Sequence, residues 1–318
     1  QDTIPSGAPF VSSHDCYLGM LSRDQRDVAQ RLGDYDLLVC LGTDVLRMSV
    51  PGAVSPLPRG MPVVQIGERN ADLAKNYPTE VAIQANVRET LSALNAVLRT
   101  RRTIAQGTAA KRRIDALRPA NWSARRAALA SSLEARTDRP IDPDVLMLRI
   151  AEVLPDDAIV VDEGLTSTRA FPQLFPYRDA WSYYGLASGG IGFAIAGAIG
   201  IRLAVPNRPL VAIIGDGSAL YNIQALWTAA HLKLQMVYVI ANNRGYRILK
   251  QRLRARYGVE QFVGMDMSRP PIDFAALAAS MGVRAHRITE PGEVAPALEE
   301  AMAHDGPTLL DVQVDDRA

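Results

Sequence analysis

The chain has few of the residues that build disulfide scaffolds and zinc sites. Its 318 residues include only two cysteines and four histidines. Cys16 and Cys40 show no metal-ligand spacing, so they predict neither a zinc site nor a disulfide framework. Together with the lack of a recognisable signal peptide, this favours a reducing cytoplasm. We interpret the four histidines as structural residues: His14, His231, His286 and His304.

The chain also lacks a strong charge of either sign and a long hydrophobic run. Its formal net charge is +1, and its arginine-rich stretches at 99–102 and 111–113 are short. We therefore expect solvated surface there and no nucleic-acid binding. The apolar stretch 191–201 is interrupted by glycines and is much shorter than the roughly 20 residues that a membrane span needs. It predicts a buried helix and no membrane association.

The first third of the chain alternates strand and helix patterns. Strand patterns at 36–42 and 61–67 alternate with helix patterns at 22–32 and 87–98. This order predicts a partial central α/β domain over residues 1–104. Both strands have continuous apolar centres, as expected of parallel strands that are buried on both faces. Because the chain begins with Gln rather than Met, we expect that its natural amino terminus is absent or trimmed.

The rest of the chain predicts a linker and a second domain. Residues 105–139 are rich in Arg and Ala and predict a helical linker. A second α/β domain over 140–318 then has one helix pattern and four strand patterns, at 143–153, 158–162, 210–215, 236–241 and 307–312. The predicted fold class is α/β, with two doubly wound domains and parallel sheets.

Polar residues follow two strands of the second domain where each strand ends. The strand at 210–214 runs into Gly215, Asp216, Gly217 and Ser218, and the segment 219–234 that follows has an amphipathic helix pattern. Ligands of open parallel sheets bind beyond the carboxyl ends of the strands. Glycines let the backbone approach a phosphate, and the N–H groups at the start of a helix favour an anion. Asp216 before a helix is also compatible with a plain helix cap.

The next strand supplies a second oxygen donor. It ends in Asn242 and Asn243, and Asn243 lies 27 positions after Asp216. This spacing accommodates a turn, a helix and a returning strand, so both side chains are expected at one sheet edge. Mg²⁺ prefers such oxygen ligands and keeps phosphate oxygens or water in its shell. We predict Asp216 and Asn243 as metal ligands, with the main-chain carbonyl of Gly245 as the third.

Over nearly its whole length the chain resembles thiamine-diphosphate-dependent enzymes. Gly215 to Ser218 followed by Asn242 and Asn243 resembles the cofactor-binding motif of that superfamily, which includes 2-oxo acid decarboxylases and acetolactate synthases. Further segments resemble its benzoylformate decarboxylase branch, namely 182–184, 189–194, 198–200 and 225–230. The resemblance implies that the second domain has the thiamine-diphosphate-binding fold and binds the cofactor together with Mg²⁺.

The resemblance also implies roles for individual residues. Ile191 matches the bulky residue that bends the cofactor, and the carbonyl of Gly189 matches the group that accepts a hydrogen bond from the exocyclic amine; both are predicted as catalytic. Leu165 and Thr166 fall where relatives hold the diphosphate, and a shift in alignment would substitute Ser167. The remaining predicted cofactor-binding residues are Gly215, Gly217, Ser218 and Tyr246. Glu163 points toward the same edge, where a structural or capping role is favoured over general acid catalysis.

Several positions depart from the family pattern. Nothing in the chain matches the pyrimidine-binding domain or the glutamate with which that domain activates the cofactor. Ser49 stands in place of a central-domain histidine, and Gly185 and Arg252 in place of two pocket phenylalanines. The stretch 246–250 is more similar to acetolactate synthases.

We therefore expect the carboxyl-terminal portion of a decarboxylase of 2-oxo acids that is inactive without the missing pyrimidine-binding domain. The alternatives are an acetolactate-synthase-type carboligase, although no flavin-binding match is evident, and a non-catalytic subunit that binds the cofactor. The family resemblance further implies a homo-oligomer with active sites between subunits.

Overall fold

The computed structural model describes residues 6–48, 52–187 and 189–317. Ser49 lies outside these described residues. The described chain divides into two compact units, one formed by residues 18–119 and the other by residues 6–17 together with 120–317.

The first unit is a small parallel sheet with helices. Its strands pair in the order β1, β2, β3. The core of this unit contains Val28, Cys40, Val45 and Val63. The strands are β1 (Leu38–Leu41), β2 (Val63–Gly67) and β3 (Val81–Gln84), and the helices are α1 (Gln25–Leu32), α2 (Val87–Arg101) and α3 (Ile104–Leu117).

The expectation that both early strands are buried on both faces is wrong for β1. Val39 and Leu41 are exposed, and only Cys40 of this strand is buried. In β2, by contrast, Val63 and Ile66 are each only 1% exposed. The apolar run identified β1 as a strand, but burial depends on what packs against each face.

The second unit contains a six-stranded parallel sheet in the order β5, β4, β6, β7, β9, β8. Its strands are β4 (Ile159–Glu163), β5 (Tyr183–Gly185), β6 (Leu210–Gly215), β7 (Met236–Asn242), β8 (Arg284–Ile288) and β9 (Pro307–Gln313). Its helices are α4 (Trp122–Glu134), α5 (Pro143–Val153), α6 (Phe171–Leu174), α7 (Ala194–Ala204), α8 (Asp216–Ala219), α9 (Ala225–His231), α10 (Arg247–Tyr257), α11 (Phe274–Ser280) and α12 (Val294–Ala303).

Helices cover both faces of this sheet. Side chains of successive strand residues point to opposite faces. Val211 and Ile213 of β6 belong to a core shared with α5 and α12. Ala212 and Ile214 belong to a second core shared with α7, α9 and α11. The predicted doubly wound arrangement of parallel strands and helices is therefore confirmed for this unit.

The connections of the sheet create a switch point between β4 and β6. From β4 the chain passes to β5 at one edge, whereas from β6 it passes to β7 on the other side. Glu163 pairs with Ile214, and Gly215 pairs with Ala241, so the carboxyl ends of β4, β6 and β7 lie side by side. Such a crevice is where open α/β sheets bind ligands.

The structure corrects the single helix expected over 219–234. α8 ends at Ala219 and α9 begins only at Ala225. In the turn between them, the side-chain amide of Asn222 donates to the carbonyl of Gly192. A four-residue helix has a smaller macrodipole than a long one, so α8 attracts an anion less strongly than the expected long helix would.

The buried helix expected over 191–201 forms as α7, which begins at Ala194. Ile191 therefore lies in the loop that precedes this helix. Among the described residues, no helix is both long enough and apolar enough to cross a bilayer.

Candidate functional site

Asp216 directly follows β6 and is almost completely buried. The residue is 3% exposed. Its carboxylate accepts hydrogen bonds from the backbone N–H of Gly217, at 2.9 Å, and of Gly245, at 3.1 Å. Burial raises the pKa of Asp216 from the ordinary 3.8 to about 6. An acceptor-only group held in this environment favours a cation at its open lone pairs.

Asn243 follows β7 and meets the same donor. Its side-chain oxygen also accepts from the N–H of Gly245, at 3.1 Å. One N–H group thus faces two oxygens, which brings the Asp216 carboxylate and the Asn243 amide together at the sheet edge. The juxtaposition expected from their sequence spacing is present.

The preceding residue, Asn242, has a structural role. The side-chain nitrogen of Asn242 donates to Asp311 at 2.9 Å, and its oxygen accepts from the N–H of Arg244 at 3.1 Å. These bonds tie the end of β7 to the neighbouring strand β9. Both ends of the Asn242 amide are therefore bonded within the protein. The oxygen of Asn243 instead shares the N–H of Gly245 with Asp216.

Two glycines allow this close packing. A Cβ atom on Gly217 would lie 2.7 Å from the ring of Tyr246, and one on Gly245 would lie 2.8 Å from the carbonyl oxygen of Met265. Both distances are too short for a side chain, so larger residues would displace the loops that carry Asp216 and Asn243. Tyr246 is half-buried and packs over the first of these loops.

The donor set fits a hard divalent cation with an anion beside it. A carboxylate, an amide oxygen and an available main-chain carbonyl are ligands that Mg²⁺ accepts. Ser218 is 4% exposed, and within the described chain its hydroxyl has no hydrogen-bond partner. A buried hydroxyl of this kind needs a partner, which a phosphate oxygen would supply. The described residues contain no group of three His, Cys, Asp or Glu side chains around a metal position, as expected when only one ligand is a carboxylate.

The loop after β4 carries the other predicted diphosphate residues. Leu165 has a left-handed φ of 52°, and its side chain is exposed. Thr166 and Ser167 instead present hydroxyls, and both accept hydrogen bonds from the guanidinium of Arg247, at 3.1 and 2.9 Å. Ser167, which a shift in alignment would bring into the diphosphate-binding role, thus shares Arg247 with Thr166.

Arg247 is a functional candidate that sequence reasoning missed. It is 6% exposed, and its third described bond goes to the carbonyl oxygen of Asp315, at 2.7 Å. A buried arginine needs partners for its charge and its five N–H groups. The only sequence signal was its position immediately after Tyr246 in the motif.

Glu163 anchors the loop that contains the two residues predicted as catalytic. It is 2% exposed, and its carboxylate accepts from the N–H groups of Gly192 and Ala194, the latter at 2.5 Å. Burial raises the pKa of this carboxyl. The loop includes Gly189, which is exposed with a φ of 79°, and Ile191, which is half-buried.

The two positions that differ from the family's phenylalanines lie in different surroundings. Gly185 ends β5 and is buried, whereas Arg252 is exposed on α10.

Comparisons with known proteins agree with this geometry. Residues 166–312 match the family model of the thiamine pyrophosphate enzyme C-terminal TPP binding domain, and residues 3–94 match that of the thiamine pyrophosphate enzyme central domain. The first match spans the segment from Thr166 through the Asp216 and Asn243 loops to β9.

Similar proteins come from two enzyme groups. Benzoylformate decarboxylase from Pseudomonas aeruginosa is 31% identical over 307 residues, covering 96% of this chain and 54% of that protein. The acetolactate synthase large subunit from Pyropia yezoensis is 28% identical over 316 residues, covering 98% and 51%. The structure of the thiamine diphosphate-dependent 4-hydroxybenzoylformate decarboxylase from Rhodococcus jostii superposes with a TM-score of 0.78 at 29% identity, covering 98% of this chain and 55% of that one.

The chain therefore spans about half the length of the curated relatives it matches. The two domain matches, the shared fold and the strand-end site agree with one another. The chain belongs to the thiamine pyrophosphate enzyme family, of which it contains the central domain and the carboxyl-terminal cofactor-binding domain.

Proposed function

We propose that this chain is the diphosphate-binding portion of a thiamine diphosphate- and Mg²⁺-dependent decarboxylase of 2-oxo acids, similar to benzoylformate decarboxylase. The chain is inactive until a pyrimidine-binding domain, supplied by another segment or chain, completes the site. The observation that carries the proposal is the meeting of the Asp216 carboxylate and the Asn243 amide oxygen at the N–H of Gly245.

In this proposal the protein holds and neutralises the diphosphate. Asp216, Asn243 and the carbonyl of Gly245 would hold Mg²⁺, which would neutralise the charge of the diphosphate. The hydroxyls of Ser218 and Thr166 would donate to the diphosphate. When bound, thiamine diphosphate supplies the electron sink that allows a 2-oxo acid to lose carbon dioxide.

The loop at 189–193 positions the reactive part of the cofactor. Glu163 fixes this loop through the N–H groups of Gly192 and Ala194. The Gly189 carbonyl would then accept a hydrogen bond from the exocyclic amine of the cofactor, and the half-buried Ile191 would support the cofactor with an apolar side chain. A fixed loop keeps both contacts in one geometry and avoids reorganisation during the reaction.

Titration calorimetry of thiamine diphosphate with and without Mg²⁺ tests the site. The wild-type chain should bind in a metal-dependent manner. Asp216→Ala should lose this dependence while keeping its fold by circular dichroism, and Asp305→Ala, which removes an exposed carboxylate, is the matched control. Equal metal-dependent affinity in wild type and Asp216→Ala would refute the assignment.

A carboligase of the acetolactate synthase type is the second candidate. It is supported by the similarity to acetolactate synthase large subunits over 98% of the chain. The absence of the two aromatic residues at Gly185 and Arg252 also argues against a phenyl-binding wall. Product analysis with pyruvate and benzoylformate, after reconstitution with a pyrimidine-binding domain, distinguishes the two: acetolactate indicates ligation, and aldehyde indicates decarboxylation. Metal-dependent cofactor binding without either product would indicate a non-catalytic subunit.

The proposal includes a homo-oligomer in the reducing cytoplasm. Large exposed side chains on the second unit support self-association, among them Leu203, Tyr221 and Trp227, each more than half exposed. Neither Cys16 nor Cys40 forms a disulfide, which is compatible with a reducing compartment. Light scattering coupled to size exclusion tests the association, and a monomer at micromolar concentration would contradict it.

A further inference from the structure

Helix α10 carries two buried cations that are compensated differently. Lys250 is 6% exposed and pairs with Asp266 at 2.5 Å and with Asp316 at 3.8 Å. Arg247 is equally buried, but among the described residues its hydrogen-bond partners are two hydroxyls and one carbonyl, none of them a carboxylate. The charge of Lys250 is paired directly, whereas that of Arg247 is compensated only at longer range.

The longer-range environment of Arg247 is mixed. Asp315, Asp144 and Asp216 attract the guanidinium, and Arg169 repels it. If Asp216 binds Mg²⁺, its negative charge is engaged by the metal and no longer serves the arginine. Asp315 and Asp144 still attract the guanidinium, but neither carboxylate is hydrogen-bonded to it. An anion that contacts the guanidinium directly would offset the remaining cost of burying the charge.

The hydroxyl partners of Arg247 indicate where that anion lies. Thr166 and Ser167 both accept from the guanidinium, so each hydroxyl hydrogen remains available for donation. A hydroxyl that accepts from a cation is polarised and becomes a better donor to an anion. The described partners also use only three of the five N–H groups of the arginine.

We propose that Arg247 is the cationic residue of the diphosphate site. It orients the Thr166 and Ser167 hydroxyls toward the diphosphate and supplies a positive charge that supplements Mg²⁺. The inference deepens the proposed function and rests on it. Arg247 is a binding and positioning residue, since it carries no step of the reaction.

Binding of two probes to the 318-residue chain in Mg²⁺ tests the inference: thiamine diphosphate and inorganic diphosphate. Arg247→Ala should weaken both affinities by about tenfold or more, as expected for loss of a charge-assisted contact. Arg256→Ala removes the same charge from an exposed position of the same helix and should change them less than about twofold. Arg247→Lys keeps the charge without the planar fork and should lie between Arg247→Ala and wild type.

The dependence of affinity on salt distinguishes an electrostatic role of Arg247 from a purely structural one. Loss of Arg247 should reduce the slope of log Kd against log salt, and Arg247→Lys should retain the wild-type slope. An unchanged slope in a folded Arg247→Ala, or affinity within twofold of wild type, would overturn the inference. If Arg247→Ala does not fold, Arg247→Gln against Arg247→Lys decides the same question. If the wild-type chain binds neither probe, the proposed function fails as well. If Asp216→Ala loses binding but Arg247→Ala keeps it, this inference alone fails.

Discussion

Glu163 and Asp216 are two buried carboxylates at the ends of neighbouring strands, yet their surroundings differ. Burial raises the pKa of both groups. Donors converge on Glu163, which accepts from the N–H groups of Gly192 and Ala194. At Asp216 a second acceptor is also present, since the oxygen of Asn243 shares the N–H of Gly245.

The difference separates an anchoring carboxylate, Glu163, from the proposed metal ligand, Asp216. Oxygens with partial or full negative charge repel one another, so a fold places them together only when something positive offsets the repulsion. A carboxylate surrounded by donors is satisfied by the protein and holds its loop in place. A carboxylate beside another acceptor has lone pairs left for a cation. Neither burial nor a raised pKa distinguishes the two cases.

The largest effect on stability is expected at Glu163. Glu163→Ala leaves the buried N–H groups of Gly192 and Ala194 without acceptors, which should lower the free energy of unfolding by about 2–5 kcal/mol. Glu163→Gln keeps one acceptor oxygen and should lose about half as much. Urea denaturation measures both. A loss below 1 kcal/mol in Glu163→Ala would mean that the carboxylate does not anchor the loop. It would contradict the distinction between Glu163 and Asp216.

Asp216 should instead destabilise the metal-free chain at neutral pH. Its folded-state pKa of about 6 exceeds the ordinary 3.8, so the folded chain holds this proton more tightly than the unfolded chain. The associated stability is fully present below about pH 4 and is lost as the pH rises through 6. The two values correspond to at most about 3 kcal/mol.

Asp216→Asn cannot ionise and removes this dependence. In the presence of a chelator, its stability relative to wild type should therefore rise between pH 4 and pH 7. Urea denaturation at both values gives the difference directly, and a pH-independent offset reports only the lost hydrogen bond. A difference that falls with pH would show that the carboxylate is stabilised, rather than strained, in its charged form.

The sequence predicted those parts of the fold and site that follow from chain geometry. Long apolar runs identified β6, β7 and β9, and parallel pairing brings the residues after β6 and β7 to one edge. The short β5, the exposed β3 and β8, whose sequence Arg-Ala-His-Arg-Ile is mostly charged or polar, were not predicted because they have no such run.

Tertiary contacts explain the parts that sequence patterns missed. The helix expected over 219–234 is interrupted where Asn222 bonds to Gly192, a residue 30 positions away. The burial of Arg247 depends on Thr166 and Ser167, about 80 positions earlier. No local pattern contains such partners, so a charged residue at the start of a helix resembled an ordinary surface position.

The two adjacent asparagines, Asn242 and Asn243, differ in the same way as Glu163 and Asp216, with a smaller expected effect on stability. Asn242 donates to Asp311 and accepts from the N–H of Arg244, so Asn242→Ala should cost about 1–2 kcal/mol of stability. Asn243→Ala should cost less, because its oxygen shares a donor, but it should weaken Mg²⁺-dependent binding of thiamine diphosphate. Thermal unfolding and calorimetry of both variants measure the two quantities. The reverse pattern would assign the metal to Asn242.

The smallest effect on stability is expected at Ser218. Its buried hydroxyl has no partner within the described chain, so Ser218→Ala removes an unsatisfied polar group and should leave the free energy of unfolding within about 0.5 kcal/mol of wild type. Ser182 is the matched control, because its buried hydroxyl accepts from Arg178 and Asp179 and donates to the Asp179 carboxylate. Ser182→Ala should therefore cost about 1–2 kcal/mol. Affinity for Mg²⁺ and thiamine diphosphate should show the opposite order, with a severalfold loss only in Ser218→Ala. Equal stability losses in the two variants would show that the Ser218 hydroxyl has a partner within the fold. Like Glu163, and unlike Asp216, it would then have a structural role.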